Sequence, residues 1–343
     1  MIEFRTLREI ERAARSKIDD HAWDWLECGT ENELTLQRNR QAFERVALRP
    51  RIFRDVSHVD LTTQVAGLNL PVPVIVCPLG GLTIYDDGGE EAIAQGITGI
   101  GSILCVSAMA RLKLSEIRAA APRARLMYLV FFMGPRNWIE EQVREAEALG
   151  VEGICVGADA PTRGIRYRDR ENRYNARKFG RTTNPPPPDH GTNAKTTWKD
   201  IKWLRSITKV PLIIKGVMTG EDGRLSREHG ADAVWVSNHG GRQVDSGLAP
   251  LEALEEVREA VSGTDIIVDG GVRGGGDVVR ALAMGAKAVG LGRSIVYGLA
   301  VGGADGVRLT MELFREEMLS IMANIGCPSI ADLNRDMIRI RPC

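Results

Sequence analysis

The chain has 343 residues, 43% apolar and 26% charged, enough to bury a large core and within the size range of one (β/α) barrel. Its 45 basic and 45 acidic side chains cancel, so no net field draws it to nucleic acid or an anionic membrane surface. No apolar run approaches the length of a membrane span, and the charged, amphipathic start MIEFRTLREIERAARSKI does not read as a signal peptide. The six cysteines (Cys28, Cys77, Cys105, Cys155, Cys327, Cys343) show no C-x-x-C spacing, and at least three lie in apolar strand-like runs. Buried free thiols in the cytoplasm, with no metal site, are the expectation.

In chain order, residues 1–70 read as an extension of helices and a short strand capping the bottom or side of a barrel. Eight apolar runs come next: PVPVIVCP (71–78), GSILCVSA (101–108), RLMYLVFF (125–132), VEGICVGAD (151–159), VPLIIKG (210–216), ADAVWVSN (231–238), TDIIVDGG (264–271) and AKAVGLG (286–292). Amphipathic segments such as RNWIEEQVREAEALG separate them, so the repeated unit is strand then helix. Strands apolar on both faces imply a parallel sheet, and eight such units close into a (β/α)8 TIM barrel over residues 71–300. After the fourth strand come about 36 residues rich in charge, Gly and Pro, read as a lid because they follow a strand's C-terminal end. Residues 301–343 read as C-terminal helices of the same single domain. The helical stripe Val307, Met311, Phe314, Met318, Ile321 and Ile325 is expected to be core or subunit contact.

Barrel chemistry is built at strand C-termini. Those positions carry Asp159, Lys215, Ser237-Asn238-His239 and Asp269, with Arg242 just beyond. Gly240 and Gly241 allow a sharp turn that presents His239 to a ligand. The loops after the last two strands, GGVRGGG and GLGRS, suit the phosphate site that barrels commonly place there. Backbone N–H groups of Gly271, Gly292 and Arg293, with the Arg293 side chain, would cradle the phosphate.

SNHGGRQVD (237–245) followed by Pro250, IIKGV (213–217) about 24 residues before His239, and DGGVRGGGD (269–277) about 30 after it form an ordered set at matching strand ends. With them the chain resembles the FMN-dependent 2-hydroxy acid oxidases and dehydrogenases, the family of glycolate oxidase and of lactate and mandelate dehydrogenases. The similarity runs from AFERVALRPR (42–51) through GRSIVYGLA (292–300). The resemblance implies FMN as cofactor and His239 as a base taking the hydroxyl proton in a hydride route or the α-carbon proton in a carbanion route. It implies Asp159 as the partner of that imidazole, Arg242 and Arg166 on the substrate carboxylate, and Lys215 at the flavin N1–O2 edge. For the flavin it points to Pro78, Leu79, Gly80, Ser107, Tyr128, Ser237, Asp269 and Arg273 beside the phosphate loops. It also implies a homotetramer with O2 or another carrier as electron acceptor.

Three departures bear on the substrate. WDW (23–25) replaces a family Tyr-Asp-Tyr, so Trp25 offers an indole N–H where the family has a phenol. A family Gln followed two places later by a Tyr reads here as Tyr128 and Val130, and Met109 stands in for a pocket tryptophan. The expected activity is oxidation of a small 2-hydroxy acid to the 2-oxo acid. The rebuilt wall leaves open a bulkier hydroxy acid, an amine or secondary alcohol, a non-redox FMN isomerase, or a binding subunit.

Overall fold

In the computed structural model, which describes residues 3–174 and 193–341, the extension forms helices α1 (Leu7–Lys17), α2 (Asp20–Glu27) and α3 (Leu34–Glu44). Strand β1 (Val46–Leu48) follows, then a hairpin of β2 (Thr63–Val65) and β3 (Leu68–Leu70). Local chemistry sets the helix starts: Thr6 and Glu9 form a capping box on α1, and the Asp19 carboxylate caps α2.

Each of the eight apolar runs contains a strand: β4 (Val74–Val76), β5 (Ile103–Ser107), β6 (Arg125–Val130), β7 (Ile154–Gly157), β8 (Leu212–Val217), β9 (Ala233–Val236), β10 (Asp265–Val268) and β11 (Ala288–Leu291). They close as a parallel barrel in the order β10-β11-β4-β5-β6-β7-β8-β9. The helices around it include α4 (Gly89–Ile97), α5 (Leu114–Ala120), α6 (Arg136–Ala148), α7 (Tyr167–Glu171), α8 (Trp198–Ile207), α9 (Gly220–Glu228), α10 (Pro250–Ala260) and α11 (Gly275–Ala283). A last strand, β12 (Ile338–Ile340), pairs antiparallel with β1.

Alternation divides the strands between two cores. Cys77, Cys105, Met127, Leu129, Cys155 and Trp235 are among the side chains filling the barrel interior. Their neighbours Val76, Val106, Tyr128, Val130 and Val156 belong to the layer between sheet and helices. The five described cysteines are free and buried, and Cys343 lies outside the described residues.

The extension closes both ends of the barrel. Val65 and Leu70 of the hairpin join the interior cluster, while Ala66 N–H donates to Asp265 Oδ2 (2.8 Å) at the start of β10. Helix α2 lies at the opposite end, where the active-site loops gather, and so departs from the expected cap on the bottom or side, which the hairpin and α3, packed beside α10, do fit. Helix α12 (Arg293–Asn324) breaks at Gly302 and Gly303, the latter with a φ of 55°. Its second half buries Val307, Met311, Phe314 and Met318, so the predicted stripe is core. Among the described residues no helix is long and apolar enough to cross a membrane. Of the predicted lid, residues 158–174 are described and carry α7, whereas residues 175–192 with the polyproline stretch lie outside the described residues.

Candidate active site

Strand β9 ends at Val236, and three successive left-handed residues turn the chain beyond it: His239 (φ 58°), Gly240 (66°) and Gly241 (75°). For a residue with a Cβ this backbone costs about 1–3 kcal/mol and must be held from outside. Ser237 Oγ accepts the His239 N–H (3.1 Å), and Asn238 Oδ1 accepts the Gly241 N–H (3.0 Å) while its amide exchanges hydrogen bonds with Asn39 of α3. A Cβ on Gly241 would stand 2.8 Å from the Leu36 backbone, so only glycine fits. The turn delivers His239 Nδ1 to 3.1 Å from Asp159 Oδ1, with the imidazole 35% exposed and Asp159 10%. Burial alone pushes the Asp159 carboxyl up, but His239 and then Lys215 outweigh it and hold it below its usual range. An ionised carboxylate can only accept, so Nδ1 carries the proton and Nε2 is left as the basic atom. Gln243 donates to Asp159 O and Thr162 O (both 3.0 Å) and so ties the two loops together. The sequence shows no sign of that role.

Beneath the histidine lies a buried charge network. Lys215 Nζ stands 3.0 Å from Asp269 Oδ2 and donates to Ser237 Oγ (2.6 Å), which donates to Asp269 Oδ1 (2.7 Å). Burial works against the ammonium, yet Asp269 and Asp159 raise the Lys215 pKa above the ordinary lysine value, so it stays charged. Ser237 links this network to the backbone of His239.

The two arginines assigned to a carboxylate differ in what they already hold. Arg242 gives three N–H groups to carbonyls at the end of α2, those of Trp25, Leu26 and Cys28 (each 2.9 Å). Its remaining Nε–H and one Nη2–H form one edge of the guanidinium, the pair that meets a carboxylate side-on. Arg166 is 11% exposed, stands 3.7 Å from Asp169 Oδ2, and has its pKa lowered to about 9 by burial and by the nearby Arg242. Its Nε and the Trp25 Nε1 are buried without a hydrogen-bond partner. Two neighbouring cations and unused buried donors are what an anion-binding subsite requires. Trp25 packs its ring toward Gly81 and lies 5.7 Å from the Arg242 guanidinium carbon.

On β6 the structure corrects the sequence reading. Tyr128 and Val130 face the helices: the Tyr128 hydroxyl donates to Gln142 Oε1 of α6 (3.3 Å), and both side chains sit in the outer core. The side chains spaced two apart that face inward are Leu129 and Phe131, which pack with the interior cluster. Phe131 leans on Gly157 at the end of β7. A shift of one residue reverses every side chain of a strand. Tyr128 and Val130 therefore do not face the barrel interior, where the sequence reading sets them on the substrate wall and beside the flavin. Met109 is 37% exposed at the mouth, beside Gly80, and its N–H donates to Ser107 Oγ (3.1 Å). Leu79, next to Pro78, touches both cores.

The phosphate loops fit an anion less simply than expected. A Cβ on Gly292 would meet nothing within 4 Å, whereas Gly271 is required by contact with Asn39 and not by a ligand. The start of α11 is already engaged, with Gly275 N–H on Glu317 Oε2 (2.7 Å) and Arg273 N–H on Asp277 Oδ2 (2.9 Å). The Arg293 guanidinium, expected on the phosphate, turns to Leu26 O (3.0 Å), Gly240 O (3.2 Å) and Glu27 Oε1 (3.5 Å). Arg273 also reaches Glu27, at 3.3 Å. The open Gly292 at the start of α12 and two adjacent arginines still make a basic cradle of the kind a phosphate needs. With Lys215 buried below, the donor set fits FMN.

The chain matches the family described as FMN-dependent dehydrogenase over residues 14–340. It is 37% identical to glycolate oxidase 3 of Oryza sativa subsp. indica, covering 96% of this chain and 95% of that one. It is 34% identical to the L-lactate oxidase of a Nostoc species, covering 97% and 98%. A solved structure of mandelate oxidase with (S)-2-phenylpropionate superposes with a TM-score of 0.93 at 33% identity, covering 99% of this chain and all of the other. The chain belongs to the FMN-dependent dehydrogenase family and is an FMN-dependent oxidoreductase acting on CH–OH donors.

Proposed function

We propose that the protein oxidises a 2-hydroxy acid carrying a bulky apolar substituent to the 2-oxo acid, with His239 as base. The observation that carries the substituent is Phe131, an apolar ring that faces inward beyond the end of β6 and leans on Gly157, two positions before Asp159. Trp25 and Met109 extend it at the mouth. Mandelate oxidase, solved with (S)-2-phenylpropionate and with benzoyl-formic acid, supports the same direction.

The free edge of Arg242, Arg166 and the Trp25 N–H hold the substrate carboxylate. That anchorage sets the carbinol against His239 Nε2, which takes a proton from the substrate. Asp159, fixed on Nδ1, stabilises the imidazolium that results. FMN, when bound, would supply the acceptor for the electron pair, and Lys215 would offset the negative charge of its reduced form. The final acceptor would be O2, as the relatives named oxidases suggest, or another carrier. A carboxylate subsite of this kind suits neither a diphosphate isomerase nor an amine.

The test is anaerobic mixing of the yellow holoenzyme with mandelate, lactate and glycolate. Flavin bleaching is expected fastest with mandelate. Equal or faster bleaching by glycolate would refute the apolar-substituent reading, and no bleaching by any of them would refute the hydroxy acid assignment. The free buried thiols support a reducing cytoplasm. A homotetramer of 37.6 kDa chains is expected in sedimentation.

A further inference from the structure

We propose that Glu27 is a built-in competitor for the cofactor phosphate, an internal anion that occupies the arginine pair of the phosphate cradle and thereby weakens FMN binding. The proposal rests on the reading that the phosphate lies at the start of α12, beside Arg273 and Arg293.

Glu27 is the last residue of α2, and that helix end is drawn into the site by Arg242 and Arg293, which hold its carbonyls. The carboxylate is 18% exposed and has three partners. The Tyr297 hydroxyl donates to Oε1 (2.7 Å), Arg273 Nη2 lies 3.3 Å from Oε2, and Arg293 Nε lies 3.5 Å from Oε1. Burial pushes the Glu27 carboxyl up, but Arg293 and then Arg273 outweigh it and bring the pKa below the ordinary value, so the group is ionised at neutral pH.

Among the described residues, Glu27 is the carboxylate that both arginine side chains reach. Every remaining polar contact of Arg293 is to backbone carbonyl oxygen, which orients the guanidinium without neutralising it. Glu27 cancels one of the two charges of the Arg273–Arg293 pair, with Arg242 as a third cation near enough to act on Glu27 and Arg293. The FMN phosphate brings a charge of about −1.5 to −2 at neutral pH. It therefore meets a half-neutralised cradle and a like charge held in a partly buried place, where screening is weak. Removing the resident charge while keeping its shape strengthens phosphate binding and leaves the flavin ring's contacts untouched.

Glu27→Gln is the suitable change, because the amide oxygen still accepts from Tyr297 and the side-chain length is kept. The apoprotein is titrated with FMN and separately with riboflavin, which lacks the phosphate, and binding is read from flavin fluorescence. Glu27→Gln is expected to lower the Kd for FMN by about tenfold or more, and to change that for riboflavin by less than about threefold. Glu27→Ala, which also removes the hydrogen bond to Tyr297, is expected to move FMN in the same direction. Inorganic phosphate should protect the Gln variant from heat more than it protects the parent.

Weaker or unchanged FMN binding in both variants, with the parent still preferring FMN to riboflavin, overturns the competitor role alone and leaves Glu27 as a positioning residue for the arginines. A parent that binds riboflavin as tightly as FMN overturns the phosphate placement as well.

Discussion

Replacing Lys215 with Met tests whether one ammonium balances the charge under the flavin. Its Nζ stands 3.0 Å from Asp269 Oδ2, and the two side chains are each 7% exposed. Methionine keeps most of the volume, so the change removes charge more than bulk. Asp269 is then left buried with Ser237 Oγ (2.7 Å) and the Cys77 thiol (3.6 Å) as its side-chain donors. Removing one partner of such a pair costs about 3–5 kcal/mol. With an unfolding entropy of about 2.1 cal/mol/K per residue, a chain of 343 residues shifts by roughly 1.4 °C per kcal/mol, so the apoprotein Tm should fall by roughly 4–7 °C. Adding Asp269→Asn should recover at least half of that loss, because the uncompensated carboxylate is gone. Scanning calorimetry of the apoproteins reads both steps. In the holoenzyme, anaerobic flavin reduction should slow by about 10²–10³-fold in Lys215→Met, the usual scale for losing a preorganised electrostatic group. A Lys215→Met protein that melts with the parent, or a double variant that melts lower still, would refute the charge-balance argument. An unchanged reduction rate would remove Lys215 from the chemistry.

His239→Gln should keep FMN bound while flavin reduction slows by at least about a hundredfold, read by rapid mixing; a rate near the parent's would exclude His239 as the base. The orientation of β6 is tested by a pair of changes. Phe131→Tyr places a hydroxyl at the site and should alter kcat/KM on lactate and glycolate by about tenfold or more, whereas Val130→Tyr overfills the outer core and should cost about 1–3 kcal/mol of stability. The reverse pattern would show that the sequence-based orientation was right. Burial pushes Glu90 up to about 7, against smaller opposing contributions from backbone N–H groups and Arg111. Because its folded pKa lies above the unfolded one, its favourable contribution is complete below about pH 4.5 and is lost as pH rises to about 7. Glu90→Gln should therefore gain roughly 3 kcal/mol on the parent between pH 4.5 and 8, and parallel denaturation curves at the two pH values would contradict this.

Features that depend on local composition were legible in the sequence, and features set by distant contacts were not. The eight strands are carried by composition and spacing alone. His239 stood out because a histidine placed beyond an apolar run and before two glycines is presented at a turn and not packed in a core. The orientation of β6 was hidden. RLMYLVFF is apolar at almost every position from 126 onward, since a strand covered on both faces shows no polar alternation from which to read phase. The family's Gln and Tyr spacing could then be laid on Tyr128 and Val130 or on Leu129 and Phe131 with equal local plausibility. The inward-facing Cys105 and Ser107 on β5 pair in register with Met127 and Leu129, and it is this pairing that sets the phase.

The arginines were legible only in part, for a different reason. Arg293 was assigned to the phosphate because its own loop suits an anion, but its guanidinium is claimed by the end of α2, 265 to 267 positions away in the chain. Arg242 is divided in the same way, with three donors on α2 carbonyls and one edge left over. These contacts give α2 a part in the chemistry that its position in the extension hides. On the proposed reading it carries Trp25 into the substrate mouth and Glu27 into the phosphate cradle, and the same two guanidiniums proposed for ligand anions also terminate the helix. Substituting either arginine therefore cannot report on ligand binding alone, because the helix end that supplies Trp25 and Glu27 loses its anchorage with it. Arg242→Lys makes the point: one ammonium cannot span three carbonyls and a carboxylate. It should raise KM and also increase hydrogen exchange over residues 20–28, and a KM effect without the exchange effect would show that α2 is held by other contacts.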